Sequence, residues 1–206
     1  NRISPEEMCK IIGKNSDIRD KTTEKATETI KTRLKQVFSV SALTEEEVSV
    51  LKNLVIMPLN GIDVRTFYEW CNFDDYDVID GLIQKSWVVH NSAEDKVNLH
   101  PIVKDIMKDE LERDLNACNK LIESLIKTLN EFEYCTLDEK YTVIECFASA
   151  SADIPSDHPY VWDVKWGMSK SVKHMSRYDE SREMMRSLSL ETEDKTKLMA
   201  ICNEIA

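Results

Sequence analysis

The hydrophobic pattern of this chain changes at one place, between Trp87 and Pro101. On either side, apolar residues recur every three or four positions, which is the spacing of amphipathic helices. Between them, the apolar run Trp87–His90 is followed by the turn-forming residues Asn91–Asp95 and by Lys96–His100, where polar and apolar residues alternate as in a strand. One β-hairpin in an otherwise helical chain predicts a mainly α fold.

Three helices are predicted before this hairpin. A capping box that begins at Thr44 opens the first, Asp63 caps the second, and Asp74 or Asp75 begins the third. Three helices followed by a β-hairpin is the element order of a winged helix. We therefore predict a winged-helix domain over residues 41–100.

Helical spacing resumes at Pro101 and continues to the end of the chain. Proline suits the first turn of a helix, and glycine, which weakens helices, occurs only four times among the 206 residues. We predict one helix from 101 to about 132, or two with a break near 113–116. Later helices are predicted over 137–151, 158–174, 178–187 and 192–205. Consecutive helical hairpins of this kind are typical of an α-solenoid or a helical bundle, here over 101–206.

Two further helices are predicted at the start of the chain. Ser4 and Pro5 form a helix start, and this helix is expected to end near Gly13. A second helix is predicted over 23–40, which makes 1–40 a helical linker. Because the chain does not begin with Met, we expect it to be a piece of a larger protein or a processed chain.

The charge of the chain argues against nucleic-acid binding. The sequence carries 38 acidic and 27 basic residues, a net charge of −11, whereas a protein that binds nucleic acid needs a basic face. The third predicted helix would be the recognition helix of a DNA-binding winged helix, and it carries four aspartates against one lysine. Such a face repels phosphates, so we predict no nucleic-acid partner.

The sequence holds no recognisable catalytic or cofactor-binding motif. Neither GxxxxGK[ST] nor GxGxxG occurs, and no serine or cysteine has the spacing of a nucleophile, so we predict that this chain alone is not an enzyme. His90 is expected across the hairpin from His100, but no third metal ligand has a defined spacing, and we predict no metal site. No apolar stretch approaches the ~20 residues of a membrane span.

The cysteines and tryptophans have structural interpretations. The six cysteines lack CxxC spacing, and several fall on apolar faces, so we predict reduced thiols of a cytoplasmic protein, with a structural disulfide as the alternative. They are Cys9, Cys71, Cys118, Cys135, Cys146 and Cys202. No secretory leader is recognised at the start of the chain. Trp162 and Trp166 share a predicted helix face, and we assign them to the core rather than to a binding slot.

Part of the chain resembles a known family. The stretch IKTRLKQVFSVSALTEEEVSVLKNLVIMPLNGIDVRTFYEW, the leucine helix and hairpin after it, and LHPIVKDIM together resemble the segment that follows the ATPase core in STAND-class NTPases, the NB-ARC-like regulatory switches. The resemblance covers about residues 25–110. Ala42-Leu43-Thr44 and Leu99-His100-Pro101 carry most of it. It implies that 1–40 is the end of an upstream ATPase module.

The C-terminal third resembles tetratricopeptide repeats, the usual partner-binding arm of bacterial members. The best unit is KWGMSKSVKHMSRYDESREMMRSLSL, in which Tyr178 stands at the turn. Ser176 stands where glycine is common in the repeat, and Ser181 where alanine is. The resemblance therefore implies TPR-like helical hairpins over 101–206, although only one unit is convincing and a plain helical bundle remains an alternative.

The resemblance also implies a role for His100. It matches the winged-helix histidine that contacts the phosphates of bound ADP and locks the closed state; proline follows it here, as in many bacterial members, where many eukaryotic members carry aspartate. The ADP site would lie in an upstream domain, so this chain would hold no cofactor itself while the intact protein would bind ATP or ADP with Mg²⁺. The alternative is a partly buried histidine that caps the helix after it or forms a hydrogen bond within the hairpin.

The function implied is that of a non-catalytic regulatory portion of a nucleotide-dependent signalling switch. Its partners would be its own upstream nucleotide-binding domain and a protein held by the helical repeats. Two alternatives stay open. One is a helical scaffold without a nucleotide partner, and the other is a winged-helix transcriptional regulator.

Overall fold

The computed structural model of the chain describes residues 38, 40–112, 114 and 116–205. These residues form nine α-helices and one small antiparallel sheet, so the predicted mainly α fold is confirmed. The helix predicted over 4–13, and all but the last residues of the one predicted over 23–40, lie outside the described residues.

The element bounds follow the predicted helices closely. The helices are α1 Glu45–Val55, α2 Val64–Cys71, α3 Asp77–Gln84, α4 Pro101–Glu112, α5 Asn119–Asn130, α6 Leu137–Asp153, α7 Val161–His174, α8 Tyr178–Leu190 and α9 Lys195–Ile205; the strands are β1 Ile62–Asp63, β2 Val88–Asn91 and β3 Lys96–Leu99. Short 3₁₀ helices lie at Val40–Ala42 and Phe132–Tyr134. The break after α4 confirms two helices rather than one between 101 and 132.

Side-chain caps begin the first two helices as predicted. Thr44 Oγ1 accepts from the backbone N of Glu47 at 3.1 Å, and the Glu47 carboxylate accepts from the backbone N of Thr44 at 3.0 Å, which completes a capping box for α1. Asp63 Oδ1 accepts from the backbone N of Thr66 at 2.8 Å at the start of α2. Both helices therefore start where their capping residues place them.

The third helix begins later than predicted. Its first helical residue is Asp77 and its N-cap is Tyr76, which forms no side-chain capping bond. Asp75 Oδ1 instead accepts from the backbone N of Asp77 at 2.8 Å. Since this bond closes a local turn two residues long, Asp75 ends the preceding loop and does not begin the helix.

The sheet contains one strand that the sequence pattern did not predict. The strand order is β1-β3-β2, and Ile62 pairs with Val97 on the outer side of the predicted hairpin. β1 has only two residues, too few for an alternating pattern. Gly61 precedes it with a φ of +94°, and a Cβ there would lie 3.2 Å from the Val97 carbonyl oxygen, so the approach of β1 to β3 requires glycine.

The hairpin register corrects the expected position of His90. Asn91 belongs to β2 and pairs with Lys96, so the loop is one residue shorter than predicted. This register places His90 opposite Val97 and not opposite His100. The two histidines are therefore separated along the hairpin.

A continuous hydrophobic core spans the predicted boundary at 100/101. It runs from Val50 in α1 to Val164 in α7, and the helix pairs α1–α4 and α2–α5 pack against each other. A second, smaller cluster joins α7, α8 and α9 through Met185, Leu188 and Ile201. The boundary itself stays a prediction, but α4 and α5 share their core with the first three helices.

Every helix in the described part of the chain is too short or too polar to cross a membrane.

Candidate functional site

His100 lies between the last strand of the sheet and the first helix of the C-terminal half. It follows β3 directly and precedes Pro101, the first residue of α4. Its Nδ1 accepts a hydrogen bond from the backbone N of Ile102 at 3.3 Å, and its carbonyl oxygen accepts from the backbone N of Lys104 at 2.9 Å. These two bonds make His100 the N-cap of α4.

The capping bond fixes which nitrogen of His100 carries the proton. Since Nδ1 accepts, the neutral imidazole has its hydrogen on Nε2, which is then a donor. Nε2 forms no hydrogen bond with any residue that the structure describes, and the side chain is half-buried. The ring is thus fixed by the hydrogen bond at Nδ1, and its Nε2–H is a donor that suits an acceptor such as a phosphate oxygen.

The helix that His100 caps is fixed by a buried lysine one turn further on. Lys104 is only 5% exposed, and its Nζ donates to the Met57 carbonyl oxygen at 2.8 Å and to Ser149 Oγ at 3.2 Å. It also pairs with Asp153 Oδ2 at 2.6 Å. These contacts tie α4 to the turn after α1 and to the C-terminal half of α6.

Asp153 receives a second lysine on its other oxygen. Lys108 Nζ lies 2.7 Å from Asp153 Oδ1. Burial alone would raise the pKa of Asp153, but the hydrogen bonds from Lys104 and Lys108 outweigh it and hold the pKa below its usual value. The carboxylate is therefore charged at neutral pH and satisfies both ammonium groups.

Sequence reasoning missed this buried ion pair. Lys104 lies next to Val103 and three residues before Met107, both buried core residues, so it falls on the inner side of an apolar helix face. A lysine at such a position signals a buried partner, since lysine is almost never fully buried unpaired. The sequence pattern does not show which acid supplies the charge, because Asp153 lies 49 residues downstream.

The surroundings of His90 do not form a metal site in the described part of the chain. His90 Nε2 lies 3.0 Å from Asp95 Oδ1, across the hairpin loop. Among the described residues, no group of three or more His, Cys, Asp or Glu side chains is placed to hold a metal ion. The five described cysteines are free thiols, and burial raises the pKa of Cys118 to about 12.

The tryptophan pair belongs to the smaller core cluster. Trp162 and Trp166 are stacked with ring centroids 5.5 Å apart, and they pack against Met185, Leu188 and Ile201. Lys197 Nζ covers the outer face of Trp162 at 4.5 Å from its ring centroid. The two rings thus lie in the packing between helices, as the sequence analysis assigned them.

The chain matches no protein-family model, no curated protein and no solved structure.

Proposed function

We propose that this chain is the non-catalytic regulatory portion of a STAND-like signalling switch. Residues 41–100 form its winged helix, residues from 101 onward form a TPR-like arm that holds a protein partner, and His100 contacts ADP held by an upstream nucleotide-binding domain of the same cytoplasmic protein. The observation that carries the proposal is the His100 imidazole, which is fixed through Nδ1 and presents Nε2–H as a donor. ATP or ADP with Mg²⁺ would be the cofactor of the intact protein.

The element order supports the winged-helix assignment. The order is α1, β1, α2, α3, β2, β3, in which the short strand before α2 joins the hairpin to form one sheet. A winged helix uses this order, with a sheet of the same small size. The hairpin therefore leads directly into His100 and α4.

Two serines support the TPR-like assignment of α7 and α8. Ser176, at the position where the repeat commonly has glycine, has a φ of +62°, a conformation that glycine adopts most easily. Ser181, at the position where the repeat commonly has alanine, is 2% exposed, and its Oγ donates to the Ser169 carbonyl oxygen at 2.8 Å. The small side chain lets the two helices approach, as alanine would.

The contacts of Lys104 would transmit a change at the bound nucleotide to the helices of the arm. The same helix begins at His100 and, one turn later, is bonded to α6 through Ser149 and Asp153. A displacement of the start of α4 on loss of ADP would therefore move a buried ion pair between the first and third helices of the arm. Tightly packed groups of this kind tend to switch between discrete arrangements rather than deform gradually.

The α3 face argues against the transcriptional-regulator alternative. Asp77 and Asp80 of α3 are exposed, as are Asp74 and Asp75 in the loop before it, so the surface that would enter a DNA groove carries carboxylates. A helical scaffold without nucleotide is the stronger second candidate. The capping bond from Ile102 favours it, because a histidine that only begins a helix needs no ligand.

Released nucleotide distinguishes the switch from the scaffold. The intact protein is purified, denatured, and its supernatant chromatographed beside that of a His100→Ala variant. We expect ADP in the parent and its loss in the variant. If neither protein carries or binds ADP, the scaffold reading replaces the switch.

A further inference from the structure

The surface at the start of α3 carries negative charge that no described residue neutralises. Four exposed aspartates lie there, two on α3 and two in the loop before it: Asp77, Asp80, Asp74 and Asp75. Within the described residues, none of the four carboxylates belongs to an ion pair. Asp77 and Asp80 favour the positive end of the helix dipole, but Asp74 and Asp75 lie before the helix and have no such role.

The basic residues near this surface are already paired. Arg65 Nε lies 2.8 Å from Glu69 Oε1, and Lys85, just after the last residue of α3, pairs with Glu47. Residues 62–85 contain six acidic and two basic side chains, a net charge of −4. A surface with this excess of carboxylates attracts cations and repels anions.

An exposed tyrosine lies among the aspartates. Tyr76 is the N-cap of α3 and forms no side-chain capping bond, and its side chain is 47% exposed. Its ring is stacked on Tyr68, with centroids 4.3 Å apart and ring planes 10° from parallel. The face of a tyrosine ring attracts a cation, and a guanidinium group can also stack on it.

The tyrosine beneath this pair has a hydroxyl group without a partner. Tyr68 is 1% exposed, and its hydroxyl forms no hydrogen bond with any described residue. Burial raises the pKa of Tyr68 to about 12, and the Asp75 and Asp80 carboxylates raise it further, so the hydroxyl lies toward the acidic surface. A buried polar group of this kind calls for a partner, and its oxygen can accept a bond from a cationic donor.

We propose that this acidic surface binds a basic segment of a partner protein through an arginine side chain. The guanidinium group stacks on Tyr76, pairs with Asp75 and donates to the Tyr68 hydroxyl, while the other aspartates attract the neighbouring basic side chains. Since no capping bond holds Tyr76, its ring can shift to admit the guanidinium group. A metal ion does not fit, because no three acidic, histidine or cysteine side chains among the described residues are placed to hold one.

The test is binding of a short fluorescein-labelled peptide of alternating arginine and glycine to the 206-residue chain, measured by fluorescence anisotropy. The control peptide has glutamine in place of each arginine. Asp77→Lys reverses a charge on the acidic surface. Asp179→Lys is its matched control, since Asp179 is also exposed in the first turn of a helix, α8, whose core cluster does not include α3.

A third variant, Tyr68→Phe, tests the buried hydroxyl. Because this hydroxyl has no partner in the free chain, its removal should leave Tm unchanged or raise it, while binding of the arginine peptide should weaken about threefold. Thermal unfolding of all three variants checks that they fold. An unchanged affinity in Tyr68→Phe would overturn the proposed contact.

We expect the arginine peptide to bind, the glutamine peptide not to bind, and Asp77→Lys to weaken binding by about tenfold. Asp179→Lys should change binding by less than about twofold, since exposed charges far from the ligand are screened. Equal loss in both aspartate variants, equal binding of the two peptides, no binding at all, or displacement of the peptide by calcium at constant ionic strength would each overturn the proposal. None of these results bears on ADP retention, so the switch is tested separately.

Discussion

At the scale of single residues, the two nitrogens of His100 have different tasks. Nδ1 accepts from the backbone N of Ile102 and so serves the fold, while Nε2 is left as the donor that the proposed switch would use for a phosphate. Asparagine is an equally good N-cap because its side-chain oxygen also accepts from the first turn of a helix, but it is shorter. The fold and the ligand contact of this residue can therefore be separated by substitution.

The buried ion pair of Lys104 and Asp153 gives a stability prediction. Asp153→Asn should lower the free energy of unfolding by about 3 kcal/mol, because it leaves the buried Lys104 ammonium without its counter-charge. Lys104→Met should lower the free energy of unfolding by a smaller amount. Asp153 would keep Lys108, and Ser149 Oγ would still donate to the Met57 carbonyl oxygen at 2.8 Å. Urea unfolding at neutral pH measures both variants.

The same pair makes stability depend on pH in a defined direction. The folded chain holds the pKa of Asp153 below its ordinary value of 3.8, so its contribution is complete above that pH and is lost as the pH falls further. Between neutral pH and about pH 3, wild type should lose more stability than Asp153→Asn does. An equal loss of stability in the two proteins would mean that the Asp153 carboxylate is not stabilised by its lysines.

At the scale of elements, three helices end in the same way. Asn72, Ser86 and Ser176 have φ values of +58°, +62° and +62°, and each follows the last turn of its helix. In each case its backbone N, and that of the next residue, bond back to the final turn, as Arg177 does to the Val172 carbonyl oxygen at 3.2 Å. These are Schellman motifs made without glycine, in a chain that has only four glycines.

Glycine at two of these ends should stabilise the chain. Ser86→Gly and Ser176→Gly should each raise the free energy of unfolding by about 0.5 kcal/mol, since relief of the left-handed conformation exceeds the entropy that glycine adds to the unfolded state. Ser187→Gly, an exposed position inside α8, is the matched control and should lower it by about the same amount. Thermal unfolding measures the stability of all three variants. A lower stability of Ser86→Gly or Ser176→Gly would contradict the idea that the left-handed serine is strained.

The close approach of α6 and α7 gives a second element-scale prediction. A Cβ at Gly167 would lie 2.2 Å from Phe147 Cε1, and Phe147 is fully buried. Gly167→Ala should therefore destabilise the chain by about 3 kcal/mol. Gly81→Ala, where the nearest atom would be Glu47 Oε1 at 3.7 Å, should instead stabilise α3 by about 1 kcal/mol. Chemical denaturation compares the free energy of unfolding of the two variants. A Gly167→Ala chain as stable as wild type would mean that α6 and α7 can move apart without loss of stability.

The sequence pattern predicted the elements whose signals are local. Capping at Thr44 and Asp63 and the hairpin are all set by neighbours a few residues apart, and the structure confirms them. β1 could not be predicted because two residues hold no periodicity and its pairing partner lies 35 residues away, as Ile62 and Val97 show. The Lys104–Asp153 pair was missed for the same reason, since charge partners distant in sequence leave no pattern.

At the scale of the whole molecule, the chain is organised around α4. Its first residue follows His100, its buried face extends the core of α1 to α3, and Lys104 holds α6. The smaller cluster of α7, α8 and α9 lies further from His100 along the chain. The proposed nucleotide contact and the arm proposed to hold a partner thus belong to one packed helical array.

The proposed switch depends most directly on His100 Nε2, and one variant tests that atom alone. The measurement is the ADP content of the intact protein carrying His100→Asn, with its thermal unfolding recorded beside it. We predict that Tm stays near the wild-type value, because asparagine caps α4, and that ADP is lost, because the Nε2 donor is gone. A His100→Asn protein that keeps its full complement of ADP would contradict the account and leave His100 as a helix cap.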